Sequence, residues 1–239
     1  MRIVVASAPK SGNNWIKCLL SRIYGLTWLS GEETPATKAD AFTAWVERGG
    51  FPANSIYHQH GRFSKDLANA IEAAPARIVT IVRDPYDMFV SLYSWVQDRV
   101  ENDVTDIRPR PRDVMIGKPI DHPDVLTFLG SAFASNLTRA NGWLHSGRAV
   151  VVRYEGLHHD PVVELTRATD QIAPVAQPPI IQAIEECRAE NMRRMSDMLA
   201  WHVRAAKIGD SRDRLSEQHL AIFRERYPDI IRSLGYEVR

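Results

Sequence analysis

The sequence predicts an α/β fold built on a parallel sheet, and four segments carry that prediction. Arg2 to Ala8 (RIVVASA) is a β-branched run closed by Pro9, Ser11 and Gly12, after which Trp15, Ile16, Leu19, Leu20 and Ile23 recur at helical spacing. Arg77 to Val82 (RIVTIV) repeats the pattern as a buried strand. It is followed by Asp84, suited to an N-cap, and Pro85, suited to the first helical position, ahead of Met88, Phe89, Leu92, Trp95 and Val96. Ala149 to Val152 supplies a third strand and Ser55 to His60 (SIYHQH) a fourth candidate. Strands alternating with helices imply parallel βαβ units, with ligands expected beyond the carboxyl ends of the strands.

Between Asp98 and Asp124 the pattern breaks into a Pro- and Arg-rich stretch that includes IRPRPRD and GKPIDHPD. It reads as a mobile loop or lid, with an ordinary solvated excursion as the alternative. From Pro178 onward the chain reads as mainly helical, interrupted at VRAAKIGDSRDR. With 239 residues, one domain spanning residues 1–239 is expected. A chain of this size buries about 70% of the surface its unfolded form exposes, so it needs no metal or disulfide staple.

Thirty Lys and Arg against 29 Asp and Glu leave a formal net charge of +1. That excludes a globally basic nucleic-acid binder while leaving room for a local anion site. The two cysteines, Cys18 and Cys187, lie far apart and lack metal-ligand spacing, so a disulfide framework, a zinc site and a redox motif are not expected, and Cys18 reads as buried and inert. A reducing compartment is the simple reading. No apolar run approaches the roughly 20 residues that span a bilayer, and RIVVASAPKSG follows the first methionine without a leader-like core. A cytoplasmic protein with no membrane partner is therefore expected.

The segment Ala8 to Trp15 (APKSGNNW) lies between the first strand and the first helix. A helix N-terminus presents unpaired backbone N–H groups and positive dipole charge; a loop holding Ser11, Gly12, Asn13 and Asn14 can wrap a phosphate there, with Lys10 as a point charge. The pattern differs from GxxxxGK[ST]: Lys10 precedes the glycine and no magnesium-binding hydroxyl follows, which disfavours a magnesium-dependent NTPase. The alternative is an incidental turn into a helix with Trp15 in the core. In RIVTIVRDPYDMFVSLYSW, Arg83 ends a strand and Ser91 lies two turns into the next helix, where both could share an anion. Arg83 could instead pair with Asp84 or Asp87, and Ser91 could serve only as a small packing residue.

Together these segments resemble the sulfotransferase family that uses 3′-phosphoadenosine 5′-phosphosulfate (PAPS). PKSGNNW is similar to the family's PKSGTTW loop, RDPYDMFVSLYSW to its R-N-P-x-D-x-x-V-S-x-Y-x-F segment, and VVRYEGLHHDP to its R-Y-E-D-L-x-x-D-P stretch. The resemblance implies a three-layer α/β/α fold of P-loop type with a central parallel sheet, and sulfuryl transfer to a small-molecule hydroxyl without a metal. It further implies that Lys10 meets the 5′-phosphosulfate and stabilises the leaving oxygen, and that Ser11, Gly12, Asn13 and Asn14 line the phosphate loop. Trp15 would stack on the adenine with Tyr154 nearby, while Arg83 and Ser91 would hold the 3′-phosphate. His60, 23 residues before Arg83, resembles the histidine of the family's K-T-H segment, the general base, and His58 falls where the family has the lysine. Other histidines, His58, His122, His158 and His159, compete for that role.

Departures from the family pattern mark what the resemblance leaves open. Asn13 and Asn14 replace two threonines. VRAAKIGDSRD resembles the family's R-K-G-x-x-G-D-W with Arg204, Gly209 and Asp210 matched, so Arg204, helped by Lys207, would also reach the 3′-phosphate. Arg188 and Ala189 replace an S-F pair, leaving open what covers the second adenine face, and no dimerisation segment is recognisable. Trp28, Trp45, Trp143 and Trp201 read as core or acceptor-pocket walls. The run RDRLSEQHLAIFRER reads as a solvated helix face. Two other readings stand beside the first: a P-loop kinase-like phosphotransferase, and a non-catalytic nucleotide-binding or interaction protein.

Overall fold

Five short parallel strands organise the chain. The computed structural model describes residues 1–29, 37–101, 110–196, 199 and 207–239. The strands are β1 (Arg2–Ala6), β2 (Thr27–Trp28), β3 (Ser55–Gln59), β4 (Ala76–Val82) and β5 (Val150–Arg153), in the order β2-β3-β1-β4-β5. All neighbouring pairs are parallel; Val4 of β1 sits opposite Tyr57 of β3 and Ile78 of β4. A parallel sheet covered on both faces favours the unbroken β-branched runs seen in β1, β4 and β5.

Alternation along β1 divides the core. Ile3 and Val5 face one layer, packing with α1 (Asn13–Tyr24), α7 (Tyr154–His159), α8 (Pro161–Ile172), α9 (Gln177–Glu186) and α10 (Ala189–Met195). Val4 and Ala6 face the other, against Phe42 and Trp45 of α2 (Ala39–Glu47), Leu67 and Ile71 of α3 (Lys65–Ala73) and Trp143 of α6 (Ala134–Leu144). A further cluster joins Val82 to α4 (Pro85–Glu101), α5 (Pro123–Gly130), α6, α12 (Glu217–Arg226) and α13 (Pro228–Ser233). Three layers with a central parallel sheet result, as the resemblance implied. β2 was not foreseen, because two residues carry no periodicity.

Several expectations are corrected. Cys18 on α1 and Cys187 at the end of α9 are joined in a disulfide with Cα atoms 6.0 Å apart across 169 residues. Their sequence distance said nothing about spatial distance, and the pairing removes the ground for inferring a reducing compartment. The stretch Asp98 to Asp124 is not one loop: it holds the end of α4, a 3₁₀ turn at Pro111–Met115 and the start of α5, with residues 102–109 outside the described part. Of the two readings offered for Trp45 and Trp143, core and pocket wall, burial supports the core. The charged run includes α12, which buries His219 and Phe223, so it is not purely a solvated face. Trp201 lies outside the described residues.

Candidate active site

The loop after β1 is shaped by two residues in the left-handed region, Lys10 at φ 67 and Gly12 at φ 106. A Cβ on Gly12 would lie 2.7 Å from Cδ2 of Tyr154, so only glycine brings the loop this close to that ring. Gly12 is also the N-cap of α1, and no side-chain cap is made among the described residues, which leaves first-turn N–H groups for an anion. Asn13 braces the loop from within: its Nδ2 donates to the Ala8 carbonyl at 2.9 Å and its Oδ1 accepts from Ser7 Oγ. Ser11 is fully buried, and its hydroxyl has no hydrogen-bond partner among the described residues. A lone buried hydroxyl beside a helix N-terminus fits an oxyanion. Asn14 and Trp15 occupy the partly exposed side of the same turn.

β4 delivers the second cation. Arg83 is 7% exposed; its Nη1 donates to the Lys10 carbonyl and its Nη2 to the Lys207 carbonyl, both at 3.2 Å. Asp84 and Asp87, the acids next to it in sequence, serve elsewhere. Asp84 Oδ1 accepts from the backbone of Tyr86 and Asp87 at 2.8 and 3.0 Å, capping α4. Asp87 accepts from the backbone N–H of Gly209 and Ser211 at 2.6 and 2.9 Å, fixing the start of α11 (Asp210–Arg214). Arg83 is thus buried beside the loop with carbonyls as its hydrogen-bond acceptors, and its Nε is without one among the described residues. Ser91 lies on the same α4, partly exposed. Arg204 lies outside the described residues. Lys207, its expected helper, directs its ammonium to Asp210 at 2.8 Å and contributes its carbonyl to Arg83.

Aromatic rings gather over Arg83. Its guanidinium carbon is 4.3 Å from the Tyr154 ring centroid, and Trp15 meets Tyr154 edge-on at 5.6 Å. His158 lies 4.7 Å from both rings, and its Nε2 is buried without a hydrogen-bond partner among the described residues. Burial and the neighbouring Arg83 hold its imidazole below the usual histidine range. From sequence alone His158 is only a competing base. Its spacing from Tyr154, one helical turn, is the sequence signal that places the two rings on one face.

On the other side of β1, His60 follows the end of β3. Its Nδ1 is 2.8 Å from the Ser7 carbonyl, which can only accept, so the ring proton sits on Nδ1 and Nε2 keeps its lone pair. Burial, reinforced by the positive charges of Arg139, Arg112 and Lys10, pulls its pKa down to about 4. The enclosed imidazole stays neutral and keeps part of its surface accessible. His58 packs beside it, ring centroids 5.1 Å apart. Lys10 Nζ and Arg112 approach the same Trp95 ring, at 5.6 and 4.5 Å.

A parallel sheet clad in helices on both faces, with a cationic loop-to-helix turn at the carboxyl end of its first strand, defines an α/β protein of the phosphate-loop class. A family model described as sulfotransferase domain matches residues 1–229, and the chain belongs to the sulfotransferase family. Sulfotransferase 6B1 of Pan troglodytes is 34% identical over 108 residues, 44% of this chain and 34% of that protein. Its Homo sapiens counterpart is 33% identical over 108 residues, with the same coverage of 44% and 34%. The matched stretch is thus about a third of the length of these relatives. Mouse sulfotransferase SULT7A1 complexed with PAP superposes with a TM-score of 0.72 at 17% identity, over 98% of this chain and 88% of that one. Retinol dehydratase in complex with androsterone and inactive cofactor PAP gives 0.65 at 14%, over 100% and 82%. These structures share the fold. Among the described residues no helix is long and apolar enough to cross a membrane.

Proposed function

We propose that this chain transfers a sulfuryl group from PAPS to a hydroxyl of a small-molecule acceptor, as one domain spanning residues 1–239. The observation that carries the reading is Arg83: a buried guanidinium, bonded to carbonyls and tied to the phosphate loop through Lys10. Such a charge is costly to bury without an anion, and a 3′-phosphate supplies one. The lone Ser11 hydroxyl and the uncapped start of α1 fit the 5′-phosphosulfate.

In this reading Lys10, Ser11, Gly12, Asn13 and Asn14 hold the 5′ end of the donor, with Asn13 acting as a brace for the loop. Arg83, Ser91 and Arg204 hold the 3′-phosphate, and Trp15 and Tyr154 flank the adenine. The bound donor supplies an electrophilic sulfuryl group on a phosphate leaving group. His60 takes the acceptor proton on Nε2, the nitrogen that its bond to Ser7 leaves unprotonated. Lys10 offsets the charge developing on the bridging oxygen. Positioning and electrostatics supply the rate in such transfers. A cytoplasmic location belongs to the same proposal, the Cys18–Cys187 disulfide weighs against it, and cell fractionation tests it.

Calorimetric binding of adenosine 3′,5′-bisphosphate, with and without magnesium and against ATP and 5′-ADP, tests the donor. Metal-independent binding that needs the 3′-phosphate and is lost in Arg83→Ala supports the reading. Preference for magnesium-ATP would replace it with a kinase-like phosphotransferase.

A further inference from the structure

Three aromatic rings meet beside the phosphate loop. β4 and β5 pair with Val82 opposite Arg153, so the residues that follow, Arg83 and Tyr154, leave the sheet side by side. Tyr154 is 5% exposed: the Arg83 guanidinium lies over its ring at 4.3 Å, and Gly12 approaches its edge. Trp15, in the first turn of α1, and His158, one turn further along α7, both pack on it, at 5.6 and 4.7 Å between centroids. They also meet each other at 4.7 Å. Tyr154 is therefore the floor of the cluster, while Trp15 and His158 keep part of their surfaces accessible.

A base and its 3′-phosphate share one ribose, so a 3′-phosphate on Arg83 brings the adenine to this cluster. Trp15 offers one aromatic face. Arg188 and Ala189, which stand where the family has its S-F pair, offer no second one: Ala189 has no ring, and the Arg188 guanidinium is exposed and paired with Glu185 at 2.6 Å. Among the described residues Trp15 meets the rings of Tyr154 and His158, and of these two only His158 is partly exposed. Burial and the neighbouring Arg83 favour its neutral form, which suits stacking on an uncharged base. At 4.7 Å the Trp15 and His158 rings stand too close to admit a base, which needs about 7 Å, two stacking distances. No hydrogen bond to a described residue pins the buried Nε2, and turning the ring outward relieves the cost of leaving that nitrogen unbonded.

We propose that His158 swings away from Trp15 as the donor enters and covers the second face of the adenine, so that Trp15 and His158 grip the base and Tyr154 backs them. This rests on the sulfotransferase reading for the identity of the donor.

The test measures calorimetric affinity of the full chain for adenosine 3′,5′-bisphosphate and for base-free ribose 3,5-bisphosphate, in the native protein, His158→Ala and His158→Phe. Loss of one stacking face is expected to weaken the nucleotide about tenfold in His158→Ala while leaving the base-free ligand within about twofold. His158→Phe, which keeps a ring, is expected to stay within about threefold of the native protein for both ligands. An unchanged nucleotide affinity in His158→Ala, an equal loss for both ligands, or a phenylalanine variant as weak as the alanine one overturns the proposal. Preference of the native chain for magnesium-ATP would instead overturn the sulfotransferase reading. The same variants measured against ATP and ribose 5-triphosphate would then decide whether His158 covers the adenine. Binding of neither nucleotide by the native chain overturns both.

Discussion

Lys17 Nζ lies 3.2 Å from His58 Nδ1, joining α1 to β3 directly behind the phosphate loop. Lys17 is 1% exposed, and its ammonium sits 4.3 Å from the Trp28 ring centroid, while Trp28 Nε1 is held by Ser21 Oγ at 2.7 Å. An ammonium only donates, so His58 presents a bare Nδ1 to it and carries its hydrogen on Nε2. The cation that contacts His58 thus comes from a helix, whereas the resemblance places a lysine at position 58 of the strand. Trp28, read as core or pocket wall, is the platform for this ammonium.

Burial pulls the Lys17 pKa down from 10.5 to about 8. The charged form is therefore disfavoured by folding: the penalty is full below pH 8 and fades as pH rises toward 10.5, where the folded chain binds fewer protons than the unfolded one. Lys17→Met is expected to raise stability at pH 7 by about 1–3 kcal/mol, with the gain shrinking toward pH 10.5. Urea midpoints at pH 7 and pH 10 check this. A loss of stability at pH 7 would mean that the contacts with His58 and Trp28 outweigh the burial.

The His60 pKa lies at about 4 against an ordinary 6.5. Between those values the unfolded chain takes up a proton that the folded chain refuses, so stability falls as pH drops below 6.5. At pH 5 the expected loss is about 1–2 kcal/mol relative to pH 7, and His60→Gln should not show it. Parallel pH-dependent denaturation of the two proteins is the measurement. Equal slopes would contradict a depressed His60. In turnover, His60→Gln should lose at least about a hundredfold in kcat while leaving donor-product affinity intact.

Gly12→Ala forces a side chain into a backbone at φ 106 and against Cδ2 of Tyr154 at 2.7 Å. Strain and overpacking together should cost about 2–4 kcal/mol. Because the ring that must give way also packs on Arg83, donor-product affinity should fall more than tenfold, about 1.4 kcal/mol. Unchanged affinity would show that Tyr154 stands clear of the nucleotide.

The Cys18–Cys187 bridge closes a sequence separation of 169 residues between α1 and the end of α9. A cross-link over so long a loop contributes about 2–4 kcal/mol. Reductant should lower the unfolding midpoint of the native chain while leaving a Cys18→Ala/Cys187→Ala double variant unaffected. Identical midpoints with and without reductant would show that the thiols are unpaired in solution.

Local chemistry alone determined the strand-loop-helix unit around Lys10 and Gly12, and Pro85 with its Asp84 cap at the head of α4. Periodicity, caps and loop glycines act over a few residues and are written along the chain. The placement of Arg83 at a strand end was legible for the same reason. Tertiary structure decided everything that depends on which distant segments meet. β3 lies next to β1 although β2 precedes it in the chain, and that order puts His60 and Arg83 on opposite sides of the loop. The bonding of Cys18 to Cys187, Lys17 to His58 and Asp87 to the Gly209 backbone likewise arises from packing. Burial is a property of the assembled layers, so a lysine whose pKa falls to about 8 and a histidine whose pKa falls to about 4 look ordinary until the helices close over them.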